Sequence, residues 1–311
     1  MSLCGNTNST DITKQDSLMT ESEEFHTVLT YLTSFTPLFF VRASANLIKM
    51  LLSIFGCSVL CGACHVLADK LCIKRSWLAS STEADRSLAI QSAVGGAVSL
   101  VIFLFYLAGL FEASDWSPTM FSDAAASHRA FVKNDYIVAG LSWNLGMVLY
   151  ETFLYCIYGK ELFIFAHHVL GIVVVSLALY SGTWGYFVSW CGLAEFTNMP
   201  LSLHTILGIA GLKEHPLYSS NVLVLWAGFL MTRVISMAFC AWRLSRDLFV
   251  TLPKLDALDR VNPVLRYLLL PSNLFLWGIS CHWFRKITLG ILKAIGLIKP
   301  KASSGKGKKG E

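Results

Sequence analysis

Long apolar runs constrain this chain more than any other feature of its sequence. A bilayer has a hydrocarbon core of about 30 Å, which a helix of about 20 mostly apolar residues can cross. Seven stretches meet this requirement: residues 47–68, 87–111, 136–158, 162–181, 184–212, 221–242 and 264–284. Their lengths suit helices, and they lack the alternation of a membrane β-barrel. The sequence therefore predicts an all-α, polytopic membrane helix bundle of about seven transmembrane spans.

Polar segments flank these runs and suggest three regions. Residues 1–46 are predicted to be a polar, disordered N-terminal segment, and residues 293–311 a basic tail. Residues 47–292 form the predicted transmembrane domain. The first 46 residues do not resemble a cleavable signal peptide, so we expect the first span to act as a signal anchor.

The distribution of basic residues predicts the orientation. The loop after the first span is basic, as is the tail, and cytosolic loops are enriched in Lys and Arg. We therefore expect a lumenal N-terminus and a cytosolic C-terminus. The sequon at Asn8 is a possible glycosylation site and fits a lumenal N-terminus. The 243–266 loop is an exception, because five basic residues fall on the predicted lumenal side. Six or eight spans remain alternatives.

The last four residues contain Lys308 and Lys309, three and four places from the C-terminus. This pattern is the dilysine retrieval signal of endoplasmic-reticulum membrane proteins, an address that a receptor reads. It predicts a multi-pass protein of the endoplasmic-reticulum membrane. The alternative is a solvated basic tail. The net charge of +5 arises largely from this tail, so it does not indicate a nucleic-acid partner.

Ionisable side chains inside predicted spans are costly, so each is a candidate functional residue. Helix rise places Glu151, His167 and His204 at similar depths in the cytosolic half of the membrane. It also places Glu195 and Arg233 where they can pair. Together with neighbouring polar groups, the candidates are Glu151, His167, His168, Glu195, Asn198, His204 and Arg233.

The chemistry of these candidates leaves several interpretations open. Histidine can act as a general base near neutral pH when a carboxylate orients it, and Glu151 beside His167 would suit that role. The cluster can instead fix helix packing through hydrogen bonds, or two histidines and a glutamate can bind a metal ion. We predict no metal and no other cofactor. The Cys-x-x-Cys-His pattern at 61–65 matches a haem-attachment motif but lies inside a predicted span.

Several motifs resemble the TLC-domain family, which contains translocation-associated membrane proteins, ceramide synthases and the ceroid-lipofuscinosis protein. The matching features are FAHH at 165–168, an acidic residue at Glu151, AEFTNMP at 194–200 and TRVI at 232–235. The resemblance extends over about residues 45–290. It implies several spans around a lipid-accessible, polar-lined cavity that the paired histidines face.

The resemblance also suggests the function. In ceramide synthases, which join acyl-CoA to a sphingoid base, the corresponding motif contains aspartates. Residues 193–200 contain none, and the usual aspartate of the third span is here Glu151. The sequence is therefore closer to the TLC-only branch, and we expect a role in lipid homeostasis, membrane lipid composition or lipid sensing and transport. The alternatives are an acyl-CoA-dependent N-acyltransferase, with His167, His168 and Glu151 as catalytic residues, and a structural or cargo-escort protein.

Overall fold

A computed structural model describes residues 48–68, 70, 82–115, 117–158 and 162–298. Within these ranges the regular elements are helical and no strand is present, so the predicted all-α class is confirmed. The chain divides into the units Met1–Leu51 and Leu52–Glu311, and the contacts below lie within the second. The α-helices are α1 Ile48–Ala68, α2 Glu83–Ser114, α3 Ala126–Phe131, α4 Asp135–Tyr158, α5 Leu162–Ser181, α6 Gly185–Gly192, α7 Asn198–Ile209, α8 Pro216–Gly228, α9 Ser236–Arg246, α10 Leu252–Lys254 and α11 Pro263–Ala294.

Six of the helical segments in the described ranges are long and apolar enough to cross a membrane. They are α1, α2, α4, α5, the run Pro216–Lys254 and α11. Each corresponds to one of the predicted spans, and many of their large apolar side chains are exposed, for example Leu52, Phe55 and Val59. Such surfaces suit contact with lipid. The chain is therefore a multi-pass membrane protein.

The fifth predicted span is broken rather than continuous. Helix α6 passes into a 3₁₀ segment, Leu193–Thr197, which leads into α7. Pro200 is the third residue of α7 and has no N–H, so it cannot donate to the carbonyl of Phe196 as other helix residues would. The amide of Asn221 on α8 donates to the carbonyl of Pro200 at 2.8 Å. The proline thus accompanies a change of helix type, and the 3₁₀ segment carries Glu195.

The sixth predicted span is longer than the sequence indicates. Helices α8, α9 and α10 follow one another without a loop, joined by the π-helical segments Phe229–Ile235 and Asp247–Thr251. The prediction that residues 243–266 form a loop is therefore wrong for the first part of this range, which is helical. Arg243 and Arg246 belong to α9 and form ion pairs.

Helix α2 lies at the centre of the packing, against α4, α6 and α7. Small residues allow these approaches. A methyl group at Gly96 would lie 2.8 Å from the Cβ of Ser202 on α7, and one at Gly192 would overlap the ring of Tyr106. Close packing through small residues is typical of membrane helices. It brings the 3₁₀ segment of Glu195 against α2.

Candidate functional site

A cavity of about 100 Å³ lies inside the helix bundle. Its walls come from α2, α4, α5, α6 with the following 3₁₀ segment, the π segment of Arg233, α9 and α11. Its charged, imidazole and amide side chains are Asn144, His167, His168, Glu195, Arg233 and Asn273. Apolar residues, among them Val174, Val188 and Leu269, cover much of the remaining wall. The cavity therefore combines hydrogen-bonding groups with surface suited to a hydrocarbon chain.

The cavity is elongated along the helices. On α11 its lining residues recur every three or four positions from Leu269 to Trp283, which is one face of the helix. Fourteen residues of helix rise by roughly 21 Å. On α5 the lining extends from His167 to Val175. The shape suits a ligand that lies along the helices.

Glu195 is the centre of what we term the central polar cluster: Ser99, Asn144, Glu195, Thr197, Asn198 and Arg233. The Glu195 carboxylate accepts hydrogen bonds from the Ser99 hydroxyl at 2.9 Å and from the Asn198 amide at 2.7 Å. A longer bond of 3.4 Å comes from Asn144. Three helices thus supply donors to one carboxylate, which offsets part of the cost of its burial.

Arg233 does not form the direct ion pair with Glu195 that the sequence predicted. Its guanidinium donates to the Thr197 hydroxyl at 2.7 Å and to the Asn198 amide oxygen at 3.0 Å. The same Asn198 donates to Glu195. An amide both donates and accepts, so Asn198 lies between the two charges and satisfies each of them. Helical spacing alone does not reveal this bridge.

The paired histidines both line the cavity, and one of them contacts a carboxylate. His168 Nε2 lies 3.4 Å from Glu151 Oε2, while the rings of His167 and His168 have centroids 5.5 Å apart. The sequence expectation placed Glu151 beside His167, but its partner is His168. His168 Nδ1 is buried and has no hydrogen-bond partner in the described part of the chain. A carboxylate on one ring nitrogen and a free nitrogen on the other is an arrangement that can hold or move a proton.

The remaining predicted residues lie elsewhere. His204 contacts Tyr218, with 3.3 Å between Nε2 and the phenol oxygen, and it does not line the cavity. Its expected layer with Glu151 and His167 therefore does not form a common site. Asn8, Lys308 and Lys309 lie outside the described residues. Within the described ranges, no group of three His, Cys, Asp or Glu residues could hold a metal ion.

Sequence reasoning missed Asn273, a cavity residue on α11. Its side chain is 2% exposed, and its amide nitrogen lies 2.8 Å from Cys191 Sγ and 3.5 Å from Cys240 Sγ. Asn273 is an amide inside a predicted span, as is Asn198, which the sequence marked as a candidate. It could have been found by the same criterion.

Sequence reasoning also missed a second set of charges, which we term the terminal ion-pair cluster: Asp123, Arg129, Arg243, Arg246 and Asp247. Arg129 and Asp247 are fully buried and form a bidentate pair with both bonds at 2.7 Å. Arg243 donates to Asp247 and to Asp123, each at 2.8 Å, and Arg246 donates to Asp123 at 2.7 Å.

This cluster ties the connection between α2 and α4 to α9. Arg129 also donates to the backbone carbonyls of Met120 and Ser122. The hydrogen bond from Arg243, supported by the charges of Arg246 and Arg243, lowers the pKa of the Asp123 carboxyl. The opposite charges of this cluster contact one another directly, so we assign it a structural role.

Comparison with known proteins identifies the family of this chain. No curated protein matches the sequence. The model of the TLC domain, described for TRAM, LAG1 and CLN8, matches residues 89–289. The match includes every residue of the cavity and begins after α1. The chain therefore belongs to the TLC-domain family.

Proposed function

We propose that the protein binds a membrane lipid in its cavity and acts in membrane lipid homeostasis. The observation that carries the proposal is the combination of a buried polar cluster and an apolar wall in one elongated cavity. A lipid headgroup can hydrogen-bond to the histidines, Glu195 and Arg233, while its chain contacts the valines and leucines. Ligand sites generally have this composition, with a few polar groups in an apolar wall.

Gly171 offers a direct test. It lines the cavity from α5, and a methyl group there would meet no atom within 4 Å, so a larger side chain can enter the open space. Gly171→Leu should reduce the amount of lipid that copurifies with the protein, measured by mass spectrometry of extracts. Gly278→Leu is the matched control, because Gly278 has the same free space and does not line the cavity. Equal lipid content in both variants would contradict binding in this cavity.

A second candidate function is acyl transfer from acyl-CoA, and the contact between His168 and Glu151 favours it. In this reaction the acceptor amine or hydroxyl gives its proton to the imidazole while its nitrogen or oxygen bonds to the thioester carbonyl carbon. The C–S bond then breaks, and the thiol of coenzyme A leaves with a proton. Glu151 would orient His168 and stabilise its protonated form.

Activity of the purified protein separates the two functions. As an acyltransferase, the protein should transfer labelled acyl groups to a sphingoid base, and His168→Gln should abolish product while lipid content stays normal. As a non-catalytic lipid protein, the wild type should form no product. The missing aspartates lead us to favour the non-catalytic function.

We also propose that the protein resides in the endoplasmic-reticulum membrane with its C-terminus in the cytosol. The proposal depends on Lys308, Lys309 and the basic tail. Replacing both lysines with serine should move the protein to later compartments, which microscopy can follow. Unchanged location would mean that the tail is only a solvated basic segment. A C-terminal tag that is protected from protease in sealed microsomes would contradict the orientation.

A further inference from the structure

Arg233 has hydrogen-bond donors that no described residue uses. A guanidinium group carries five N–H bonds on three nitrogens. In Arg233, Nε donates to the Thr197 hydroxyl and Nη2 donates to the Asn198 amide oxygen. The third nitrogen, Nη1, has no hydrogen-bond partner in the described part of the chain, and it is not fully buried. Because Arg233 lines the cavity, Nη1 is the part of the guanidinium that remains for a ligand.

The rest of the guanidinium group is held in place by the protein. Its bonds to Thr197 and Asn198 fix one edge, and the ring of Phe229 lies against it, with 5.0 Å from Cζ to the ring centroid. The side chain is buried within the bundle. A donor that is already ordered loses little conformational entropy when a ligand binds to it. Nη1 is therefore a preorganised donor at the cavity.

The surroundings of Arg233 decide the charge of the group that can accept this bond. Asn198 also donates to Glu195 at 2.7 Å, so the positive charge of Arg233 has a carboxylate counter-ion one amide away. An anionic ligand would place a second negative charge against one positive charge in a cavity with a largely apolar wall. An unbalanced charge is costly to bury. A carbonyl oxygen accepts hydrogen bonds without adding charge, so it fits this position better.

From these observations we infer that Arg233 binds the uncharged carbonyl oxygen of an acyl lipid through Nη1. It thereby selects ester- or amide-linked chains over free fatty acids and over plain hydrocarbon chains. The inference rests on the proposed lipid binding and adds the class of ligand. Two sources share this chemistry, an ester and an amide, and the experiment distinguishes them.

Competition between lipids that share one chain tests the inference. Methyl oleate, oleamide and ionised oleic acid are each mixed in equal amounts with 9-octadecene, which has the same chain without a carbonyl group. The purified full-length protein is added in detergent at mildly alkaline pH. Native mass spectrometry gives the ratio of the two complexes, which is divided by the ratio of the two lipids in micelles without protein. One hydrogen bond from a charged donor should favour the ester or the amide about tenfold. Ionised oleic acid should bind no better than 9-octadecene.

Substitutions locate the effect in the cavity. Arg233→Met keeps a long side chain without the donor and should bring the ratios for the ester and the amide close to one while 9-octadecene still binds. Arg233→Met/Glu195→Gln should do the same without leaving a buried carboxylate. Ser272→Ala is the matched control, because Ser272 also lines the cavity but donates its hydroxyl hydrogen to the carbonyl of Leu268. It should leave the ratios unchanged.

The outcomes separate this inference from the proposed function. Preference for methyl oleate alone identifies an ester, and preference for oleamide alone identifies an amide. Equal binding of all four lipids would overturn the inference and leave lipid binding intact. Stronger binding of ionised oleic acid than of the ester and the amide would also overturn it, as would a preference that survives in the Arg233 variants. Binding of none of the four lipids would overturn both. The wild-type ratios decide the matter even if the Arg233 variants do not fold.

Discussion

The central polar cluster and the terminal ion-pair cluster contain the same kinds of charges but arrange them differently. In the terminal ion-pair cluster, guanidinium and carboxylate groups touch at 2.7–2.8 Å. In the central polar cluster, Asn198 separates Arg233 from Glu195. In the first arrangement each carboxylate contacts a guanidinium group directly. The second is next to the cavity, where Arg233 and Glu195 form part of the lining.

Both clusters depend on the same unusual helix geometry. Arg233 lies in the π segment Phe229–Ile235, and Asp247 begins the π segment Asp247–Thr251 of the same helical run. π segments are rare and occur frequently at functional sites, where they redirect side chains. The segment Asp247–Thr251 supplies Asp247 to the terminal ion-pair cluster, and the segment Phe229–Ile235 supplies Arg233 at the cavity. Helix geometry alone therefore does not distinguish function from architecture; the contacts of the charges do.

The largest effect is expected from Asp247→Asn, which breaks the terminal ion-pair cluster. The substitution leaves Arg129 with no carboxylate in contact and Arg243 with only that of Asp123, which is half exposed. Removing one partner of a buried ion pair costs about 3–5 kcal/mol. The yield of folded protein in detergent, measured by fluorescence size exclusion, should fall sharply.

The same substitution at an exposed position is the control for this effect. Asp259 lies in the 3₁₀ segment Leu258–Arg260 and is exposed. Asp259→Asn should leave the folded yield unchanged. A normal yield for Asp247→Asn would mean that the terminal ion-pair cluster does not hold the α2–α4 connection in place.

The sequence could predict the spans because apolar burial in the membrane dominates their energetics, and long apolar runs are visible in one dimension. It could also predict that Glu195, Arg233 and the histidines matter, because each is costly in hydrocarbon. These are properties of a residue and its immediate neighbours along the chain.

The partners of the polar residues could not be predicted in this way. Arg129 and Asp247 are 118 positions apart, and their contact depends on how α3 packs against the end of the sixth span. The choice of His168 rather than His167 as the partner of Glu151 depends on the rotation of α5 relative to α4. The bridge through Asn198 depends on how the π segment of Arg233 packs against the start of α7. Helix spacing gives directions around one helix but does not specify its rotation against another.

A smaller effect is expected from Arg233→Met in the central polar cluster. Glu195 retains hydrogen bonds from Ser99, Asn144 and Asn198, so the carboxylate is not left without partners. We expect a loss of about 1–3 kcal/mol, typical of an unmade hydrogen bond, in thermal unfolding of the detergent-solubilised protein. The double variant Arg233→Met/Glu195→Gln should recover part of this loss, because the unbalanced buried charge is gone. A double variant less stable than the single one would show that Glu195 does not depend on the charge of Arg233.

The smallest effect concerns the exposed edge of the terminal ion-pair cluster. Asp123 is half exposed, and the Arg243 guanidinium lowers the pKa of its carboxyl below the ordinary value of 3.8. A carboxyl whose pKa is lower in the folded state stabilises the fold above its unfolded pKa. That contribution is lost as the pH falls through the folded value.

The difference in melting temperature between wild type and Asp123→Asn should therefore be constant near neutral pH and shrink below about pH 4. Subtracting the variant removes the effect of the carboxyl groups that share no partner with Asp123. Solvent screening at this half-exposed pair keeps the difference small. Asp259→Asn should follow the wild type across the whole range, since Asp259 forms no ion pair in the described part of the chain. A difference that instead grows as the pH falls would contradict the lowered pKa of Asp123, and with it the contact between Asp123 and Arg243.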